Sequence, residues 1–148
     1  MTDKKTVKIM QSIQSELKAP KGQTNKFGGY SYRSAEDILE AVKPLLNKYD
    51  CFLTVSDEIV EVGGRVYVKA TATVYESHSD TIAVTTAFAR EAETKKGMDE
   101  AQITGSASSY ARKYALNGLF AIDDTKDPDA TNKHGKDSPR AVNKSAEF

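Results

Sequence analysis

The chain has no tryptophan and a single cysteine. Nowhere does it run to the roughly 18 consecutive apolar residues that a membrane-spanning helix needs. One cysteine excludes a disulfide or a cysteine-based zinc site within the chain. Cys51, beside Phe52 and Leu53 in an apolar run, reads as a small buried thiol rather than a reactive one. The first ten residues are polar and lysine-bearing and lack the apolar stretch of a secretory signal, so the expectation is a soluble, intracellular protein with no membrane partner. A phosphate loop is also missing, because Lys95-Lys96-Gly97 is not the Gly-x-x-x-x-Gly-Lys-Ser/Thr pattern, and nothing reads as an ATPase. His78 and His134 lack the partner spacing of a metal site or triad, and Ser106, Ser108 and Ser109 lack a nucleophile-elbow motif. The acidic run from Asp123 to Asp129 lacks the glycine and the glutamate of a calcium loop, and reads better as a solvated end to a helix or an acidic edge facing a basic neighbour.

What is present points to one domain. A length of 148 residues suits a single core. Formal net charge is zero, which argues against a protein held to nucleic acid by bulk charge alone. The charge is nevertheless segregated: Met1 to Arg33 carries seven basic side chains against two acidic, whereas Tyr49 to Glu93 carries three against eight. Such a chain can still present a basic surface.

Val7, Met10, Ile13 and Leu17 at helical spacing predict a first helix over Thr6 to Leu17, with Thr2 or Thr6 available as its cap. Pro20 stops it, and Gln23 to Gly29 reads as a loop before a short extended stretch, Tyr30 to Arg33. Ser34 with Asp37 predicts a capped second helix whose apolar face is Ile38, Leu39, Val42, Leu45, Leu46 and Tyr49, and Pro44 should kink or split it. From Cys51 to Arg90 the period falls to two, and three antiparallel strands are expected, about 52–62, 65–75 and 81–90, the first pair joined through Gly63-Gly64. A last helix follows, from about Glu100 to Gly118. The expected fold is α+β, an antiparallel three-stranded meander with helices packed on one face. Residues 1–129 would form the domain and 130–148, poor in large apolar residues, a disordered tail.

Two segments carry candidate chemistry. Lys26-Phe27-Gly28-Gly29-Tyr30-Ser31-Tyr32-Arg33 interleaves aromatics with cations, as a sequence-tolerant binder of single strands requires, because every base offers a face for stacking while cations follow the phosphates. It is equally the pattern of an ordinary glycine turn covering the edge of a core. In Gly105 to Leu116, Ile103, Ala107, Tyr110 and Tyr114 fall on one helical face, with Gly105, Ser108, Arg112, Ala115 and Leu119 roughly opposite. Both faces want contact, one against the sheet and the other against a second subunit or DNA. The two tyrosines read as core or as contacts, and Arg112 and Lys113 as ion-pair partners or as phosphate contacts.

Gly29-Tyr30-Ser31-Tyr32-Arg33-Ser34-Ala35-Glu36-Asp37-Ile38 with Ala41 to Leu46, and then Gly105 to Leu116 with Asp123-Asp124, resemble the two ordered motifs of the ERF (essential recombination function) family of phage single-strand annealing proteins. The resemblance spans roughly Ile9 to Asp129. It implies a phage or prophage recombination factor in the host cytoplasm that is not an enzyme. Such a factor anneals complementary single-stranded DNA without a nucleotide cofactor and assembles into rings or filaments, with a single-strand-binding protein as a further expected partner. The fold analogy is to the β-β-β-α core of annealing recombinases. The expected DNA-binding residues are Lys26, Tyr30, Tyr32, Arg33, Arg112 and Lys113, with no metal ligand among them. Two rival readings are a metal-dependent nuclease using the acidic run and a protein-interaction module indifferent to DNA.

Overall fold

The computed structural model describes residues 4–25, 27–77, 80–93 and 98–122. The elements run α1 (Lys4–Glu16), β1 (Gln23–Asn25), β2 (Tyr30–Tyr32), α2 (Ala35–Lys48), β3 (Cys51–Val62), β4 (Arg65–Glu76), β5 (Thr81–Arg90) and α3 (Glu100–Leu119). The architecture is α+β. Its centre is an antiparallel meander in the order β3-β4-β5, with helices on one face, as the switch in hydrophobic period implies.

β3 and β4 pair without interruption from Cys51↔Glu76 to Val62↔Arg65. Gly63 and Gly64, with φ of 58° and 77°, close the turn, a conformation that a side chain would strain. Between β4 and β5 the register shifts at Val74/Tyr75. The extra residue is Ile82, which the shift leaves buried near Met10 of α1.

Alternation along β4 sets the layers. Val68, Ala70, Ala72 and Val74 are buried and join Ile13 of α1, Ile38 and Val42 of α2, and Ala111, Ala115 and Leu116 of α3 in one core. On the opposite face Phe52 stacks on Tyr75 at 4.7 Å between centroids, and Lys69 lies 5.9 Å from the Phe88 ring centre. Phe52, Val84 and Phe88 stay exposed there.

Four local expectations change. Thr6 is not the N-cap of α1, which starts two residues earlier and buries Thr6 within its first turn, while Thr2 lies outside the described residues. The expected loop after Pro20 contains β1, which pairs antiparallel with β2 through Gln23↔Tyr32 and Asn25↔Tyr30. Three polar residues gave no alternation to read. Pro44 does not split α2, which continues through it to Lys48. Pro44 and Glu40, whose carbonyl loses its donor, are both on the exposed side, where water can replace the missing bond. Cys51 is half-buried, not fully buried; desolvation, then the carboxylates of Glu76 and Asp50, push its thiol pKa up, which keeps it protonated and unreactive.

Candidate nucleic-acid interface

Ser34 begins the construction of the site. It caps α2 in a reciprocal box, Ser34 Oγ accepting from the Asp37 N–H at 3.2 Å and Asp37 Oδ2 accepting from the Ser34 N–H at 2.9 Å. The same carboxylate accepts from the Gly22 N–H at 3.3 Å, and Gln23 Nε2 stands 3.5 Å from Asp37 Oδ1. One side chain thus ties the start of β1 to the start of α2, and fixes the hairpin between them. Burial works against the ionised carboxylate, but the bonds from Ser34, Gly22 and Gln23 outweigh it and hold the Asp37 pKa below its ordinary value.

Beneath the hairpin Arg33 is only 8% exposed, and its Nε donates to the Ala19 carbonyl at 2.5 Å. It joins the end of β2 to the segment after α1. Tyr30 and Tyr32 meet edge to face at 6.3 Å. Asn25 Nδ2 donates to the Tyr30 hydroxyl at 2.9 Å, so the ring position is set by the hairpin itself.

α3 supplies the other wall. Asp99 caps it in a second reciprocal box with Gln102. Its seam toward the sheet is Ile103, Ala107, Ala111, Ala115 and Leu119, residues four apart. By angular spacing alone Ile103 and Ala107 share a face with Tyr110 and Tyr114. The structure separates them: Tyr110 is 54% exposed and Tyr114 43%. Ala70 and Ala72 of β4, the strand on which α3 packs, belong to the same core as Ala107, Ala111 and Ala115, and small residues on both sides suit a close approach better than a tyrosine ring does.

The rings therefore emerge at the flank of α3 and face the hairpin. A cleft of about 570 Å³ opens there, lined by Tyr30, Tyr32 and Arg33 from the hairpin side and by Tyr110, Lys113 and Tyr114 from α3. Gln23, Asn25, Ser34, Glu36, Ser106 and Ser109 add hydrogen-bonding groups, with Glu36 the acidic one. Lys113 is 8% exposed, and its ammonium lies 5.9 Å from the centre of Tyr32 and 5.6 Å from that of Tyr114. It bridges the two walls as a cation between two ring faces.

The two sequence segments singled out for chemistry thus share one cleft. Four of the six expected site residues, Tyr30, Tyr32, Arg33 and Lys113, line it. Arg112 does not: it turns to β3, where Nε and Nη2 donate to Asp57 at 3.1 and 3.3 Å, and Ser108 Oγ lies 2.6 Å from the same carboxylate. Lys26 lies outside the described residues, as do His78, Lys95, Lys96 and the run from Asp123. Tyr110 and Tyr114 were absent from the expected site. The signal that could have found them is the four-residue repeat of Ile103 with three alanines, which claims the sheet-facing side and displaces the tyrosines from it.

Among the described residues no cluster of three or more His, Cys, Asp or Glu side chains is placed to hold a metal, and no helix is long and apolar enough to cross a membrane.

Comparison with known proteins bears on both walls at once. The model of the ERF superfamily matches residues 7–147. The essential recombination function protein of Salmonella phage P22 is 62% identical over 122 residues, which are 82% of this chain and 57% of that protein. The chain therefore spans little more than half of that curated relative. No solved structure matches it significantly. Because the family match takes in the hairpin and α3 together, and the identity extends over most of the sequence, the chain belongs to the ERF superfamily.

Proposed function

We propose that this protein is a recombination protein of phage type that binds single-stranded DNA and anneals complementary strands without ATP. The observation that carries the reading is the cleft, in which two segments some 75 residues apart bring four tyrosines and a lysine together. Unpaired bases stack on aromatic faces with roughly 1–3 kcal/mol each and little regard to sequence, while a cation meets the phosphates. The P22 relative carries recombination in its name, which fits a protein whose substrate is a strand rather than a small molecule.

In this reading Tyr30, Tyr32, Tyr110 and Tyr114 offer stacking faces, and Lys113, covered by Tyr32 and Tyr114, offers its charge to a phosphate as those rings turn to take bases. Arg33 acts as a positioning residue through Ala19, holding β2 and its tyrosines in place. Lys26, next to Phe27 in the sequence, is a further candidate to follow the phosphate backbone. Arg112 reaches a phosphate only by leaving Asp57. No step requires a bond to be made or broken, so the protein acts as a binder and not as an enzyme. One cleft holds few nucleotides, and a homo-oligomer would join several into a continuous path whose weak contacts add.

Mixing the protein with complementary oligonucleotides, one carrying a fluorophore and the other a quencher, tests this. Annealing is expected to accelerate without ATP and in the presence of a chelator. A requirement for either, or failure to retard a labelled single strand at low salt, overturns the reading. Native mass, free and with an oligonucleotide, tests assembly, and a monomer in both states removes the oligomer from the proposal.

A further inference from the structure

The tip of the β1–β2 hairpin carries an aromatic ring that packs against none of the described residues. Phe27 is 102% exposed, so its side chain reaches solvent as freely as in an extended peptide, and it is far more exposed than any other large apolar residue described. Its backbone N–H is anchored. Asn25 Oδ1 accepts from the N–H groups of both Phe27 and Gly28, at 2.9 and 3.0 Å, and the Gly29 N–H donates to the Asn25 carbonyl at 2.8 Å. Gly28 must be a glycine, since a Cβ there would come within 2.2 Å of the Tyr30 ring. The turn is thus packed on Tyr30, a wall of the cleft, and it holds Phe27 outward from the same hairpin.

We infer that Phe27 is a second stacking site, which takes one unpaired base of the DNA strand where that strand leaves the cleft. The inference rests on the single-strand reading above and adds a residue to it. A protein partner is the poorer fit for this ring. The neighbours of Phe27 along the chain are Asn25, Lys26, Gly28 and Gly29, so a docked protein would gain one isolated ring, whereas stable protein interfaces bury on the order of 1,000 Å² or more. A base needs only one ring face. It must also be unpaired, because a base inside a duplex is already stacked on both sides, so Phe27 favours single strands over duplex.

The full chain with Phe27→Ala, Phe27→Leu and Phe27→Trp tests this. None should disturb folding, because the side chain is fully exposed and packs against none of the described residues. Short single strands carrying 2-aminopurine report stacking by quenching, and titration gives affinity. Phe27→Ala and Phe27→Leu should each weaken single-strand binding, by about five- to a hundred-fold, leave the salt slope and duplex binding unchanged, and lose part of the quenching. Phe27→Trp should restore both. If the leucine variant binds like the parent, a π-face is not needed and the inference fails. It also fails if Phe27→Ala changes native mass in the absence of DNA, which would place the ring in a protein interface. Should the unaltered chain not bind single strands, the functional reading itself falls, and that outcome is read before any variant is compared.

Discussion

Arg112 and Lys113 are consecutive cations on one helix, and they have opposite fates. The helix turns about 100° between them. Arg112 goes to β3 and engages Asp57 in an ion pair on a half-exposed surface, whereas Lys113 turns to the hairpin and lies almost wholly covered between Tyr32 and Tyr114. One is a strut between helix and sheet and the other part of a cleft. Adjacency in sequence thus does not imply shared work, and which cation meets DNA depends on which flank of α3 it occupies.

The largest effect should come from removing the rings that frame Lys113. Tyr32→Ala with Tyr114→Ala is expected to lower single-strand affinity by about ten- to a hundred-fold, with little change in the slope of log affinity against log salt. Equal loss on changing the aromatics of the outer sheet face, Phe52 and Phe88, would dissolve the contrast between the cleft and the rest of the surface.

Next is the pair of cations. Lys113→Gln should weaken binding to all sequences alike and reduce the salt slope by roughly 0.7, the share of one phosphate on a single strand. Arg112→Gln should leave both nearly unchanged and reduce stability by at most about 1 kcal/mol, as befits a part-exposed ion pair. Asp57→Asn sharpens the comparison, for it releases Arg112: a steeper salt slope in that variant makes the arginine a reserve phosphate contact, and an unaltered slope makes it a strut only. Native mass must be unchanged in each for the comparison to hold.

The smallest effect concerns the hairpin anchor. Asp37 titrates below its ordinary value in the folded chain, so its contribution to stability is complete above the unfolded carboxylate pKa and is lost as pH falls through the folded one. Ser34→Ala should cost about 1 kcal/mol by chemical denaturation at neutral pH. Asp37→Asn should flatten the acid limb of the stability profile, and an unchanged acid limb would show that the carboxylate is not what ties β1 to α2.

Long periodic segments were legible from sequence. The three strands, the double-glycine turn and the capping box at Ser34 follow from period two, from the need for positive φ and from the Ser/Asp spacing. β1 was not, because Gln23, Thr24 and Asn25 have no apolar alternation and are ordered by Asp37 and by pairing with β2. Both site segments were found, but the partition within α3 was not. A helical wheel groups Ala107 with Tyr110 by angle, but the fold buries Ala107 and leaves Tyr110 exposed, a choice that rests on the size of the residues opposite, which are distant in sequence. For the same reason Arg112 and Lys113 could not be told apart, since their partners, Asp57 and Tyr32, lie far away along the chain.

The alanine seam of α3 has a further consequence, in local stability. Alanines bury little apolar area. The firm anchorage of the helix is at its C-terminal end, where Leu116, Leu119 and Phe120 are buried in the core. Opening should therefore begin at the Asp99 end, and amide exchange should slow steadily from Ile103 toward Leu119. The turns that fray first include Ser106, which lines the cleft, and adjoin Tyr110. The mouth of the cleft can then widen by a partial opening of one helix end while the sheet and the hairpin stay in place.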